Sequence, residues 1–177
     1  MAFGPAGIPH YRRASDICTC FYSIFSEIFG YSLSVTEFKL KARAKHCYSE
    51  ARRVHEFHEI CSKFGQNELS ESATLTALGQ LMNLSHESCS RSYECSCPEL
   101  DELTQSARVA GAFGSRLTGA GWAGCTVSLV QATKAEQFVK ALSEQFYNVN
   151  GTRRSALPGA IFVTKPADGA KIEEFQY

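Results

Sequence analysis

Apolar residues recur at three- and four-residue steps from residue 36 onward, and this spacing predicts a long amphipathic helix. Thr36 can cap the start of the helix, and Gly65 lies where a helix would end. Tyr48, Phe57 and Phe64 widen the apolar side. Its main line, called the apolar stripe below, consists of Leu40, Ala44, Cys47, Ala51, Val54, His58 and Cys61.

Three more helices are predicted further along the chain. In "SCPELDEL", Ser96 and Glu99 have the spacing of a capping box and Pro98 suits the first turn, while Gly111 ends this helix. Thr133 has the same capping-box relation to Glu136 ahead of another helix. Apolar positions on the second and fourth helices are Leu75, Leu78, Leu81, Met82, Phe138, Leu142 and Phe146.

Short β-branched and apolar runs predict strands at "CTVSLV" (125–130) and "AIFVT" (160–164), with a further edge strand at "AKIEEF" (170–175). The segment "RLTG" (116–119) is expected to pair antiparallel with the first of them. Strands and helices do not alternate in strict βαβ units. The pattern therefore predicts an α+β domain with an antiparallel sheet and helices on one face.

The N-terminal segment, residues 1–35, differs from the rest of the chain. Its run "ICTCFYSIFSEIFGYSLSV" (17–35) is the stretch most like a membrane span, but it contains several serines and Glu27, which are costly in hydrocarbon. We expect no span there. The predicted organisation is a poorly packed segment over 1–35 and one domain over 36–177.

Charge and cysteine content narrow the class of protein. Eighteen basic residues balance eighteen acidic ones, so the net charge gives no reason to expect nucleic acid or an anionic membrane as a partner. Eight cysteines include two C-x-C pairs but no zinc-binding spacing, and no cleavable leader is evident. We expect reduced, mostly buried thiols, a cytoplasmic location and no metal site.

The stretch "LTGAGWAGC" (117–125) contains the pattern G-x-G-x-x-G. A dinucleotide-binding loop would be followed by a helix, whereas a predicted strand follows here. A Walker loop would continue with Gly-Lys-Ser or Gly-Lys-Thr, which is absent from this stretch. A glycine-rich hairpin turn and a phosphate-supporting loop both remain open.

Longer stretches of the sequence bear on the choice between these alternatives. "YECSCPELDEL" followed by "GAFGSRLTGAGWAGCTVSLV" closely resembles the C-terminal half of galactokinases, members of the GHMP small-molecule kinase family. The resemblance continues in "RAKHCYSEARRV", "LMNLSHESC" and "AIFVTKPADGAKI", so it covers about residues 36–177. Among galactokinases the wording is most similar to the N-acetylgalactosamine kinase and fungal branch. The resemblance implies a GHMP C-terminal domain with a ferredoxin-like antiparallel sheet.

The resemblance also implies a role for the glycine stretch. In the family this motif is a glycine-rich hairpin at the floor of a cleft between two domains. Arg116 is a candidate phosphate contact or a surface salt bridge, Trp122 can brace the loop under the helix from 98 to 110 or line the cleft, and Ala123 stands where the family usually has Gly. The cleft-supporting role falls on Thr118, Gly119, Ala120, Gly121, Trp122 and Gly124.

The family transfers a phosphoryl group from ATP, with Mg²⁺, to the anomeric hydroxyl of galactose or N-acetylgalactosamine. Its phosphate loop, sugar motif and catalytic aspartate belong to the N-terminal domain, and residues 1–35 contain none of them. We therefore assign no catalytic residue and expect the chain alone to be inactive and to bind ATP weakly. The alternatives are a non-catalytic galactose-sensing relative that acts through protein contacts, and a truncated gene product.

Two other pairs of residues have spacings that can carry chemistry. His55 and His58 have a spacing that can share a metal, but no third ligand lies nearby in the sequence. His86 and Cys89 could form a nucleophile pair, but the sequence shows no acid to orient the imidazole.

Overall fold

The computed structural model describes residues 38–165, and contact density divides the chain into two units, Met1–Lys39 and Leu40–Tyr177. The predictions for residues 1–35, Thr36 and the edge strand at 170–175 lie outside the described residues. All elements below belong to the second unit. They are α1 (Leu40–Gly65), α2 (Glu71–Ser88), α3 (Pro98–Val109), β1 (Gly114–Thr118), β2 (Cys125–Leu129), α4 (Ala135–Leu142) and α5 (Gly151–Ala156).

Three short helical segments of other types join these elements. A π-helical segment, Cys89–Tyr93, continues α2, and another, Ser143–Tyr147, continues α4. A 3-10 turn, Ala132–Lys134, precedes α4. Within the described ranges, no helix has both the length and the apolar character to cross a bilayer.

The strands form an antiparallel hairpin whose register runs from Gly114 opposite Leu129 to Thr118 opposite Cys125. This confirms the predicted pairing and the α+β class. The strand predicted at 160–164 is wrong, because that segment is irregular and forms no ladder with the described strands. It follows a turn in which the amide of Ala160 donates to the carbonyl of Leu157; Ile161 then packs on a helical cluster, while Phe162 is 80% exposed.

Both predicted capping boxes are wrong. Ser96 donates its hydroxyl to Asp101 Oδ1 at 2.6 Å, and Cys97, at the N-cap of α3, makes no side-chain capping bond. Ser96 lies one position before the N-cap, so its hydroxyl oxygen is not placed to accept from the first amides of α3 and the group instead donates to a carboxylate one turn into the helix. Thr133 lies inside the 3-10 turn, and the N-cap position of α4 is Lys134, which makes no side-chain capping bond.

Two clusters of buried side chains form the core. The one beneath the hairpin contains Cys89, Cys95, Leu100 and Leu117. The other joins α3 to α4 and confirms the predicted inward face of α4. Its buried members are Ala107, Ala112, Phe138, Leu142 and Phe146.

Helix α2 lies along the edge of β1 that β2 does not use. Gly79 allows the close approach, because a Cβ there would come within 2.4 Å of the backbone of Phe113. The amide group of Asn83 accepts from Ser115 N at 3.0 Å and donates to Phe113 O at 3.3 Å. Side chains of α2 thus satisfy strand groups that would otherwise need a third strand.

Helix α1 packs on the other described elements with polar residues. None of its residues is buried, and every member of the apolar stripe is exposed, with Val54 at 63%. The partly buried positions include Arg43, His46, Glu50 and Arg53, whose contacts with α2 and the segment after it are described below. The sequence predicted the helix and its end at Gly65 correctly, but its apolar side does not enter the core.

The described cysteines are free thiols, as expected, but most are not buried. Cys89 and Cys95 are buried, whereas Cys47, Cys61 and Cys125 are exposed. The expectation of mostly buried thiols is therefore wrong for this part of the chain.

Candidate functional site

The loop that joins β1 to β2 has an unusual backbone. Gly119, Gly121 and Gly124 have φ values of +88°, +86° and +99°, and Trp122 has +57°. The left-handed region is accessible to glycine without a steric penalty. These conformations explain the three glycines of the G-x-G-x-x-G pattern.

Gly121 has a second requirement. A Cβ at this position would lie 2.5 Å from the carbonyl oxygen of Cys95, whereas nothing lies within 4 Å of a Cβ at Gly119 or Gly124. The amide of Trp122 donates to that same Cys95 oxygen at 2.6 Å. The centre of the loop is therefore anchored on the segment after α2, and both of its ends are exposed.

Ala123 does not occupy the left-handed region; among the described residues the non-glycine positions with positive φ are Asn67, Glu94 and Trp122. Alanine at 123 consequently causes none of the strain that a positive φ would bring. The strain falls on Trp122, where a left-handed conformation costs an L-residue about 1–2 kcal/mol.

Trp122 is 60% exposed and is not buried beneath α3. Its ring lies 6.4 Å from that of Tyr93, which stacks on His46 at a centroid distance of 4.8 Å. The guanidinium of Arg43 lies over Tyr93 at 5.8 Å and donates to Glu94 Oε2 at 2.6 Å. These contacts form a row, Trp122–Tyr93–His46, that connects the glycine loop to the N-terminal half of α1.

Arg116 is engaged by a carboxylate. Its Nη1 lies 3.3 Å from Glu50 Oε1, and its Nε donates to Leu117 O at 3.0 Å. Glu50 also accepts from Ser85 Oγ at 2.5 Å and from Arg53 Nη2 at 2.7 Å. Arg116 therefore supports the strand behind the loop through an ion pair, which agrees with the salt-bridge alternative.

The Glu50 network was missed in the sequence analysis. Burial raises the pKa of Glu50, but hydrogen bonds from Ser85 and Arg53 and the charges of Arg53 and Arg116 outweigh it, so the pKa lies below its ordinary value. The carboxylate stays ionised between two guanidinium groups. A signal existed in "HCYSEARR", where charged residues at one-turn spacing lie beside the apolar stripe.

His86 is buried, and both of its ring nitrogens have partners. Nδ1 accepts from Leu117 N at 3.2 Å, and Nε2 lies 3.0 Å from Asp101 Oδ1 and 3.0 Å from Thr104 Oγ1. An accepting Nδ1 assigns the proton to Nε2. Burial lowers the pKa of His86, the Asp101 carboxylate opposes this, and Arg108 and Arg116 add to the lowering.

The sequence showed no acid to orient the imidazole of a His86–Cys89 pair, and the structure supplies one, Asp101. However, His86 offers no vacant acceptor nitrogen, because Nδ1 holds the strand amide. Burial and the neighbouring Cys95 raise the pKa of Cys89 to about 11, so the thiol is not activated. This cluster is a structural element of the strand edge.

His55 and His58 both lie exposed on α1. Within residues 38–165, no three side chains of His, Cys, Asp or Glu are arranged to hold a metal ion.

Comparisons with known proteins agree with this geometry. Residues 67–148 match the family described as GHMP kinases C terminal. Galactokinase from Dictyostelium discoideum is 41% identical over 157 residues, covering 81% of this chain and 31% of that protein. Galactokinase from Saccharomyces cerevisiae is 41% identical over 141 residues, covering 77% of this chain and 26% of that protein.

A solved structure gives the same result. The crystal structure of Lactococcus lactis galactokinase complexed with galactose superposes with a TM-score of 0.53 at 25% identity, over 80% of this chain and 40% of that one. The chain therefore spans less than half the length of these galactokinases. The resemblance read from the sequence is confirmed: this chain contains a GHMP kinase C-terminal domain of the galactokinase type.

Proposed function

We propose that the chain supplies the C-terminal part of a galactokinase-type enzyme, which transfers a phosphoryl group from ATP to the anomeric hydroxyl of galactose or N-acetylgalactosamine. The observation that carries the proposal is the glycine loop between β1 and β2. Its central glycine is anchored against Cys95, while Gly119, Ala120 and Gly124 are exposed. Exposed glycine amides can approach an anion closely, because no Cβ intervenes.

The loop acts as one wall of a cleft under this proposal. Phosphoryl transfer depends on positioning and on preorganised charge, so a rigid wall is useful even without a reacting group. The hairpin register, the Cys95 contact and the Glu50–Arg116 pair all support a fixed loop position. Thr118 is the last residue of β1 and directly precedes the loop.

The carboxylates near the loop do not fit Mg²⁺. Glu50 is held by Arg53 and Arg116, and Glu94 is held by Arg43, so each already carries its counter-charge. A magnesium site prefers carboxylate and water oxygens that are not committed to cations. The metal and the ATP phosphates would then be held by another part of the enzyme, and the chain alone binds neither tightly. The proposal places it in the cytoplasm, where free thiols such as those described stay reduced.

A second candidate is a non-catalytic galactose-sensing relative that acts through protein contacts. The exposed Trp122–Tyr93 pair favours it, since aromatic residues are enriched where proteins meet. A truncated gene product of an active kinase would share every feature described here. A longer transcript separates these cases by whether it encodes a phosphate-binding loop.

Turnover by the chain alone tests the proposal. Purified chain with ATP, magnesium and either sugar is expected to give no sugar 1-phosphate above background. Turnover that Gly121→Val abolishes would overturn the claim that the chain is one part of a larger site.

A further inference from the structure

The apolar stripe of α1 is an exposed surface in this structure. Leu40 is 43% exposed and Val54 63% exposed, and the five residues between and after them on the stripe are exposed as well. A seven-residue line of this kind is unusual on the outside of a folded domain, where apolar positions are normally scattered.

The helix cannot turn to bury the stripe. Arg43 donates to Ser92 O and to Glu94, and His46 Nδ1 lies 3.0 Å from Ser88 Oγ. The carboxylate of Glu50 accepts hydrogen bonds from Ser85 Oγ and Arg116 Nη1. Each of these inward residues precedes a stripe residue by one position, or about 100° around the helix. Rotation that buried the stripe would break this polar face.

The spacing of the stripe fits another helix. Positions 40, 44, 47, 51, 54, 58 and 61 alternate four- and three-residue steps, which is the spacing of a helix–helix seam. Ala44, Cys47, Ala51 and Cys61 are small, so the backbone of a partner helix can approach closely. One side of the stripe borders the polar contacts of α1, and the other side carries Lys45, Arg52 and Glu59.

The inward face of α1, which borders the stripe, is linked to the glycine loop by ring contacts. Arg43 and His46, each adjacent in sequence to a stripe residue, contact Tyr93, and Tyr93 contacts Trp122 of the loop. Trp122 is itself 60% exposed. A partner seated on the N-terminal half of the stripe therefore reaches the loop through this aromatic row.

We propose that the apolar stripe is a docking surface for an amphipathic helix of the part of a galactokinase-type enzyme that this chain does not span. Docking there brings that part onto the glycine loop, so the inference rests on the proposed function and names its partner surface. The choice of this occupant rests on the length of the related galactokinases outside the matched segment. The chain covers 31% and 26% of the two galactokinases that are 41% identical to it, so in those proteins the matched segment is joined to more than twice its own length of further chain.

Co-expression tests the proposal. The tagged chain is produced together with the part of the Dictyostelium galactokinase that it does not match, as a separate polypeptide. We expect the two to co-purify. Val54→Glu is expected to lose the partner, whereas His55→Glu, also exposed but about 100° away on the helix, is expected to keep it. Thermal unfolding of the isolated variants shows whether each still folds.

Thiol alkylation gives a second readout. Cys47 and Cys61 lie on the stripe and are exposed, so iodoacetamide should modify them rapidly in the isolated chain. In the co-purified complex we expect at least a tenfold slower modification of both. A cysteine introduced by His55→Cys should react equally fast in both samples.

Failure of co-purification, or equal loss with Val54→Glu and His55→Glu, would overturn the docking proposal. Slow alkylation of an isolated chain that sediments as a dimer would identify a second copy as the occupant and would overturn it as well. Sugar phosphorylation by a complex in which Cys47 still reacts rapidly would leave the proposed function standing without the docking. If Cys47 and Cys61 are protected in a complex that has no kinase activity, the docking proposal stands and the proposed function is contradicted.

Discussion

Gly121 lies against the carbonyl group of Cys95, so close that a Cβ on the glycine would come within 2.5 Å of the oxygen. The next amide, that of Trp122, donates to the same oxygen. One backbone carbonyl after α2 thus positions the middle of the loop between β1 and β2. This contact explains why the central glycine differs in kind from the two that flank it.

Alanine substitutions should separate the two kinds of glycine. Gly124→Ala places an alanine at φ +99° but causes no clash, because nothing lies within 4 Å of its Cβ. We expect the backbone strain alone to lower the free energy of unfolding by about 1 kcal/mol. Gly121→Ala adds a clash with the Cys95 carbonyl, so its cost should exceed that of Gly124→Ala by at least about 1 kcal/mol. Urea unfolding measures both. Equal costs would contradict the anchoring role of Cys95.

Trp122 should respond to substitution in an unusual order. Because its φ is +57°, Trp122→Gly relieves the backbone while Trp122→Ala does not, although both remove the same contact with Tyr93. We expect the glycine variant to be more stable than the alanine variant by about 1 kcal/mol. The same urea experiment measures the difference, and a more stable alanine variant would show that the loop is not held in this conformation.

The ion pairs of Glu50 should matter more than a surface pair on the same helix. Glu50→Gln leaves Arg53 and Arg116 without their shared carboxylate in a partly buried site, and we expect a loss of about 1–3 kcal/mol, reduced from the value for a fully buried pair by solvent screening. Glu59→Gln removes an exposed pair with Lys63 and should leave the melting temperature unchanged. Similar melting temperatures for the two variants would contradict the network.

Folding stability should fall on mild acidification, because of His86. Its folded-state pKa lies below its ordinary value of 6.5, so the unfolded chain binds a proton first as the pH decreases. The stability that the neutral ring contributes is complete above pH 6.5 and is lost as the pH falls toward the folded pKa. His86→Gln should flatten the pH dependence of urea unfolding just below that value. An unchanged slope would show that another group titrates there.

Local pattern predicted most elements but not their orientation. Helices α1 to α4, the hairpin and the inward face of α4 follow from residue spacing, since periodicity shows which positions share a side. The cap predicted at Ser96 failed because the N-cap is Cys97, one position later, and the Ser96 hydroxyl donates to Asp101 instead. The strand at 160–164 failed because a strand needs an adjacent edge, and residue types alone do not show whether one is present.

The exposure of α1 was unpredictable for a related reason. Its apolar stripe indicates a buried side, and nothing in the spacing reveals that the covering surface is absent from the described residues. The polar face was legible in "RAKHCYSEARR", but its partners Ser85, Ser92 and Arg116 are distant in sequence. The glycine loop was recognised from resemblance, whereas the Cys95 contact required the fold.

A chimeric enzyme tests the central claim most directly. In this chimera, the part of this chain that matches the Dictyostelium galactokinase replaces the corresponding segment of that enzyme. Formation of sugar 1-phosphate from ATP and galactose or N-acetylgalactosamine is measured for three samples: the chimera, the chimera with Gly121→Val, and this chain alone. We predict turnover by the chimera, none by this chain alone, and a loss of at least about tenfold in kcat/KM with Gly121→Val, because a shifted loop misplaces one wall of the cleft. A folded chimera without activity, or one that Gly121→Val leaves unchanged, would contradict the account.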